Sequence, residues 1–189
     1  MANADASYGF RSVHMDGSPS TGGTMRCVIA AGDATATFIG DAVKLAGTSI
    51  NGAPTVAQCA GGDPVLGAIV SFEANPNDLG AQYRKASTER YCQVAMAEGG
   101  YFMVQEDGVD GAMGIAAAGL NATIIVAAGS TVTGFSGMEI DSSTADTTNS
   151  LDLQLWAPVN REDNDGALAN ADWIVRFNDP QQRHIRTGV

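Results

Sequence analysis

The chain has 189 residues, which suits one domain and is long enough to bury a hydrophobic core without disulfides or metals. Apolar residues make up 44%, which excludes a disordered composition, and charged residues only 16%, so the surface can approach a neighbour at little desolvation cost. A net charge of −11 repels phosphate backbones and argues against nucleic-acid partners, and no apolar run reaches the length of a membrane span.

Residues 1–24 read as an arm. Tyr8, Phe10, Val13 and Met15 alternate with small or polar residues, and the run from Asp16 to Gly23 then breaks regular structure. Such a segment docks either on a neighbouring copy or on its own domain, and Tyr8, Phe10 and Arg11 are its candidate contact residues. The first residues lack a basic n-region and an apolar h-region, so synthesis in soluble form in the cytoplasm is expected.

Residues 25–189 read as a β-rich core domain, on which residues 109–150 are a candidate small lobe. Short strands are predicted over Met25–Ile29, Thr35–Ile39 and Ala42–Leu45. Asn51-Gly52 is a hairpin signal, because both residues tolerate positive φ, and Pro54–Cys59 is the return strand. Val65–Phe72 is almost continuously apolar, which predicts burial on both faces, and Gly67 within it predicts a bulge or a close backbone approach. Arg90–Ala97 alternates, with Tyr91, Gln93 and Ala95 on one face and Cys92, Val94 and Met96 on the other. Tyr101–Glu106 follows across Glu98-Gly99-Gly100, and the two strands are expected to pair as a hairpin.

Beyond residue 109 the glycines limit any helix to about one turn. Thr123–Ala127 reads as a strand and residues 129–150 as a long polar loop. Leu151, Leu153 and Leu155 alternate with polar residues, and Trp173, Val175 and Phe177 share one face of a last strand. Both tryptophans, Trp156 and Trp173, fall in strand patterns and read as core. The fold class is therefore mainly β: a small antiparallel β-barrel or β-sandwich with an extended N-terminal arm and long loops.

Little in the chain points to chemistry. The nearest approach to a nucleophile elbow, Gly134-Phe135-Ser136-Gly137-Met138, places its second glycine one position early, and no Gly-Lys pair exists for a phosphate loop. Cys27, Cys59 and Cys92 have long, unrelated spacings and read as buried free thiols in a reducing compartment. The best cation candidate is Arg161-Glu162-Asp163-Asn164-Asp165-Gly166, with Asp172 at the final position of a calcium loop. Arg161 stands where an anion is required, so the segment reads as a solvated turn. Glu73, Glu98, Glu106, Asp107 and Glu139 fall in turns and strand ends, as acidic residues commonly do. The expectation is a non-enzymatic protein without cofactor or metal.

Several segments carry a resemblance when taken in order: Phe38–Val43, Asp63–Phe72, Tyr83–Ser87, Phe102–Asp107, Gly119–Ala122 and Gly137–Ser143. Together, over about residues 35–178, they resemble a group of structural proteins of tailed bacteriophages encoded among head genes. The resemblance implies a capsid decoration (cement) protein. Such a protein forms a homotrimer on the outer capsid surface of the virion and braces the major capsid protein lattice. It supplies no catalytic signature. A tail or baseplate component and a carbohydrate-binding or depolymerising module are the alternatives.

Overall fold

The computed structural model describes residues 2–20 and 23–182; the basic cluster Arg183, His184 and Arg186 lies outside them. In chain order the strands are β1 (Arg11–Val13), β2 (Thr24–Ile29), β3 (Ala42–Ile50), β4 (Ala53–Gln58), β5 (Gly67–Phe72), β6 (Arg90–Met96), β7 (Tyr101–Gln105), β8 (Asn121–Ala122), β9 (Ile124–Ile125), β10 (Glu139–Ile140), β11 (Leu153–Pro158) and β12 (Asp172–Phe177). Single 3-10 turns occupy Ile115–Ala117 and Ser142–Thr144. The protein is mainly β, as the sequence predicts.

The first layer is a closed barrel in the order β2-β4-β3-β5-β6, with β6 returning to β2. Its pairings are antiparallel except β2 with β4, which run parallel through Val28 and Thr55. Period-2 alternation decides what points inward: Cys27, Ile29, Val43, Val56, Ile69, Cys92 and Val94 fill the barrel. The β3–β4 hairpin turns at Asn51 and Gly52, whose φ values of 48° and 79° are those its sequence signals.

The second layer is an antiparallel sheet in the order β1-β7-β12-β11-β8. Its inner face carries Phe102, Val104, Leu153, Leu155, Trp173, Val175 and Phe177, joined by Phe10, and packs against Ala42, Ala68 and Ala95 of the barrel wall. Small side chains on the barrel exterior let the aromatic face of the sheet sit close, which gives the alanine-rich composition a structural purpose. Gly67 marks a close approach within the barrel, between β5 and β6: a Cβ there would fall 1.9 Å from the Ala95 carbonyl oxygen. Each large apolar side chain buried between the layers stabilises the fold by about 1.5–3 kcal/mol.

Four sequence expectations are decided or corrected. First, of the two dockings open to the arm of residues 1–24, the one on its own domain is seen: β1 pairs with β7 and Phe10 is buried in the main core at 1% exposure. Second, β6 and β7 do not form a hairpin. Both sides of β6 are taken by β2 and β5, so the chain leaves the barrel at Gly99-Gly100 and β7 joins β1 and β12 instead. Third, Thr35–Ile39 is not a strand but makes single bridges, Thr37 with Arg84 and Ile39 with Phe135. The reason is Arg84, a fully buried guanidinium that donates to the carbonyls of Ala30 (2.8 Å), Asp33 (2.7 Å), Thr35 and Thr88 (2.7 Å) and so holds two loops in irregular shape. Fourth, residues 109–150 build no separate lobe, since Ala117, Ala122, Ile124, Met138 and Ile140 enter the main core. Within the predicted 129–150 loop, β10 pairs with β9.

Candidate interaction surface

The three contact candidates of the N-terminal segment have different fates. Phe10 packs at 4.9 Å from Phe177 and edge-on to Phe102, so it cannot meet a neighbour. The Tyr8 hydroxyl donates to the Asp172 carboxylate at 2.8 Å. Burial, reinforced by that carboxylate, pushes the Tyr8 phenol far above its usual range, so it remains a donor. Tyr8 is half-buried and Arg11 exposed, with its guanidinium 4.0 Å from the Tyr8 ring centre and 5.3 Å from that of Phe135.

Tyr8, Arg11, Gln105, Phe135, Arg161 and Asp172 line a cleft of about 410 Å³ between the N-terminal segment and the loops before β10 and β12. Arg161 donates to Asp163 and to Asp172, at 2.8 Å each. Asp163 and Asp172 of the calcium-like loop are thereby engaged by the cation that the sequence places at its first position. Among the described residues no group of three or more His, Cys, Asp or Glu side chains converges to hold a metal ion.

The carboxylates named in the sequence divide by burial. Glu73 pairs with exposed Arg26, whose hydrogen bond holds its carboxyl below the usual range. Glu106 is fully buried and accepts from the Met113 N–H at 3.1 Å, and desolvation raises its affinity for a proton. No saccharide can reach it there. Glu139 is pushed up to about 7, first by desolvation and then by the charges of Asp5 and Asp107. A further group, which no motif singles out, is Asp41, fully buried and raised to about 6 by desolvation. Its Oδ2 accepts from the Phe38 N–H and from the Gln58 amide, both at 2.9 Å.

The two tryptophans also part company. Trp173 is fully buried, as expected, but Trp156 is 40% exposed and is not a core residue. The pairing of β11 with β12 shifts between Leu155 and Ala157, so Trp156 is the extra residue of a β-bulge. Period-2 spacing from inward-facing Leu153 and Leu155 places the indole on the outer face of the sheet, where it meets Tyr101 edge-on, with ring centres 5.7 Å apart. Arg176 on β12 lies over the same Tyr101 ring at 5.3 Å. Apolar side chains also stand out at the sheet end, where Val109 is 78% and Ile115 65% exposed.

The basic side chains are unevenly committed. Arg26 binds Glu73, Lys44 binds Asp63, Lys85 binds Asp78, and Arg161 binds Asp163 and Asp172. Arg84 and Arg90 donate to backbone carbonyls. Among the described lysines and arginines only Arg11 and Arg176 have neither kind of partner, and each is stacked on an aromatic ring. Period-2 spacing from Leu153 and Leu155, which puts Trp156 on the opposite face, was the sequence signal that could have located this surface. Comparison of the chain with known protein families, curated proteins and solved structures finds no match.

Proposed function

We propose that this chain is a non-enzymatic capsid decoration protein of a tailed bacteriophage. In this reading it assembles as a homotrimer on the outer capsid surface of the virion and binds the major capsid protein, stabilising the expanded lattice. Binding only that lattice adds the free energy of binding to the stability of the shell, and many identical weak contacts sum through multivalency. The observation that carries the reading is the exposed face of Trp156, Tyr101 and Arg176 on a two-layer β scaffold. Those residue types dominate the binding energy of protein interfaces. The ordered resemblance to phage head proteins supplies the kind of assembly.

Cryo-microscopy of the virion tests the proposal. Density for this chain is expected on the outer head, over the joints between major capsid subunits. Density confined to the tail would sink it and leave the tail or baseplate reading. One observation favours a second reading: exposed Trp156 is also what a carbohydrate-binding module presents for stacking against a sugar ring. Retention on a glycan array that Trp156→Ala abolishes would support that module.

A further inference from the structure

We infer that the corner of the five-stranded sheet's outer face formed by Trp156, Tyr101 and Arg176, beside the part that Val159 and the turn at Gly17 already cover, is the docking site for a second copy of this chain, which presents its Asp107–Gly111 loop to it.

The receiving surface is built for a partner with an acidic and an apolar group. Arg176 is a cation without a carboxylate or carbonyl partner among the described residues, in a chain whose net charge is −11. Its stacking on Tyr101 fixes its direction, so little side-chain freedom is lost when an anion arrives. Beside it, Trp156 stands partly in water, an exposure that costs stability and that a docked neighbour removes.

The complementary surface lies on the same chain. The loop after β7 reads Asp107-Gly108-Val109-Asp110-Gly111. Asp107 is used internally, accepting from the Ser142 N–H at 3.0 Å. Val109 and Asp110 point outward, and Asp110 has no partner among the described residues. An apolar side chain next to a free carboxylate matches a tryptophan next to a free guanidinium. The chain's excess of carboxylates makes a second copy a more available source of such a segment than a neutral partner. Because the two surfaces differ, the contact is head-to-tail and closes into a ring when the rotation between copies permits.

The inference rests on the proposed function only for the premise that copies associate, and its test uses the purified full chain without capsids. Sedimentation across the micromolar range is expected to show self-association that weakens as salt is raised. Arg176→Glu and Asp110→Arg should each weaken association more than about tenfold, and the double variant, whose charges are exchanged, should recover it. Matching circular dichroism and melting curves for all variants separate lost contacts from lost folding. A chain that stays monomeric throughout overturns the inference. So does association that either single variant leaves intact, or that the double variant fails to recover. A monomer retained on an acidic polysaccharide through Trp156 assigns the face to sugar instead. Failure here leaves head localisation by cryo-microscopy standing, and failure there leaves this contact standing.

Discussion

The Gly40 carbonyl accepts the Phe10 N–H at 2.8 Å, and this bond lies where the N-terminal segment crosses the barrel wall. Gly9 and Gly40 face each other at the crossing with φ values of 71° and 95°. A Cβ on Gly9 would sit 2.5 Å from the Gly40 oxygen, and one on Gly40 would sit 2.4 Å from the Tyr8 oxygen. Only glycine satisfies both the left-handed backbone and the close approach. Gly9→Ala or Gly40→Ala should therefore force the segment off the barrel and lower the melting temperature.

Phe10 follows from the same crossing. Truncation to alanine empties a site between Phe102 and Phe177 and should cost about 3–5 kcal/mol. Removing residues 2–22 takes β1 and Phe10 together, so the truncated chain should unfold at markedly lower urea. A truncated chain with an unchanged urea midpoint would show that the segment is dispensable to the core.

Arg84 is the second structural keystone. Replacing it with methionine keeps the volume but takes the guanidinium donor from the carbonyls of Thr35 and Thr88, while those of Ala30 and Asp33 lose one donor and keep the Asp33 and Ser87 N–H groups. Each buried acceptor left unpaired costs about 1–3 kcal/mol. Lysine cannot repair this, since a compact ammonium does not reproduce the planar fork that reaches two loops at once. Both variants should destabilise strongly in chemical denaturation. Arg26→Ala, which removes an exposed ion pair with Glu73, should change the midpoint little.

Asp41 sets a pH dependence. Its folded-state pKa is raised from 3.8 to about 6, so folding favours the neutral acid. That contribution is fully present below the unfolded value and is lost as pH rises through about 6, amounting to roughly 2–3 kcal/mol. Asp41→Asn keeps an acceptor for the Phe38 N–H and the Gln58 amide but carries no charge. It should be more stable than the parent at pH 8, with the advantage vanishing near pH 4. An equal effect at both pH values would show that Asp41 does not titrate in this window.

The thiols should be silent in the native state. Cys27, Cys59 and Cys92 are free and buried, and desolvation pushes Cys27 up to about 11 and Cys92 to about 12. A disulfide-exchange reagent at pH 8 should label none of them rapidly, because the thiolate is the reacting species, and all of them after unfolding in guanidinium. Fast labelling of the native protein would show that the barrel opens.

Alternation made the strands legible. Cys92 and Val94 turn into the barrel, and Leu153, Leu155, Trp173, Val175 and Phe177 turn into the core, as period-2 spacing indicates. Pairing was not legible, because the turn after β6 looks the same whether the chain doubles back or crosses to another layer. What decides is that β2 and β5 already occupy both sides of β6. The candidate surface was hidden for a different reason. Leu153 and Leu155 face the core, so the same period-2 spacing puts Trp156 on the outer face, but the apolar bulk of a tryptophan reads as core. Arg84 gave no signal at all, since its partners are carbonyls spread over distant loops.

Closing the barrel has a consequence for crowding. Closure pairs the barrel strands with one another except along the outer part of β3, which meets β5 only at Ala42 and Val43, and the second sheet ends on β1 and β8, which span only Arg11–Val13 and Asn121–Ala122. Ribbons this short give a stranger's backbone almost nothing to template on. Copies brought to high local concentration are thus steered away from fibre growth, and their recognition is left to side chains, which are specific and reversible.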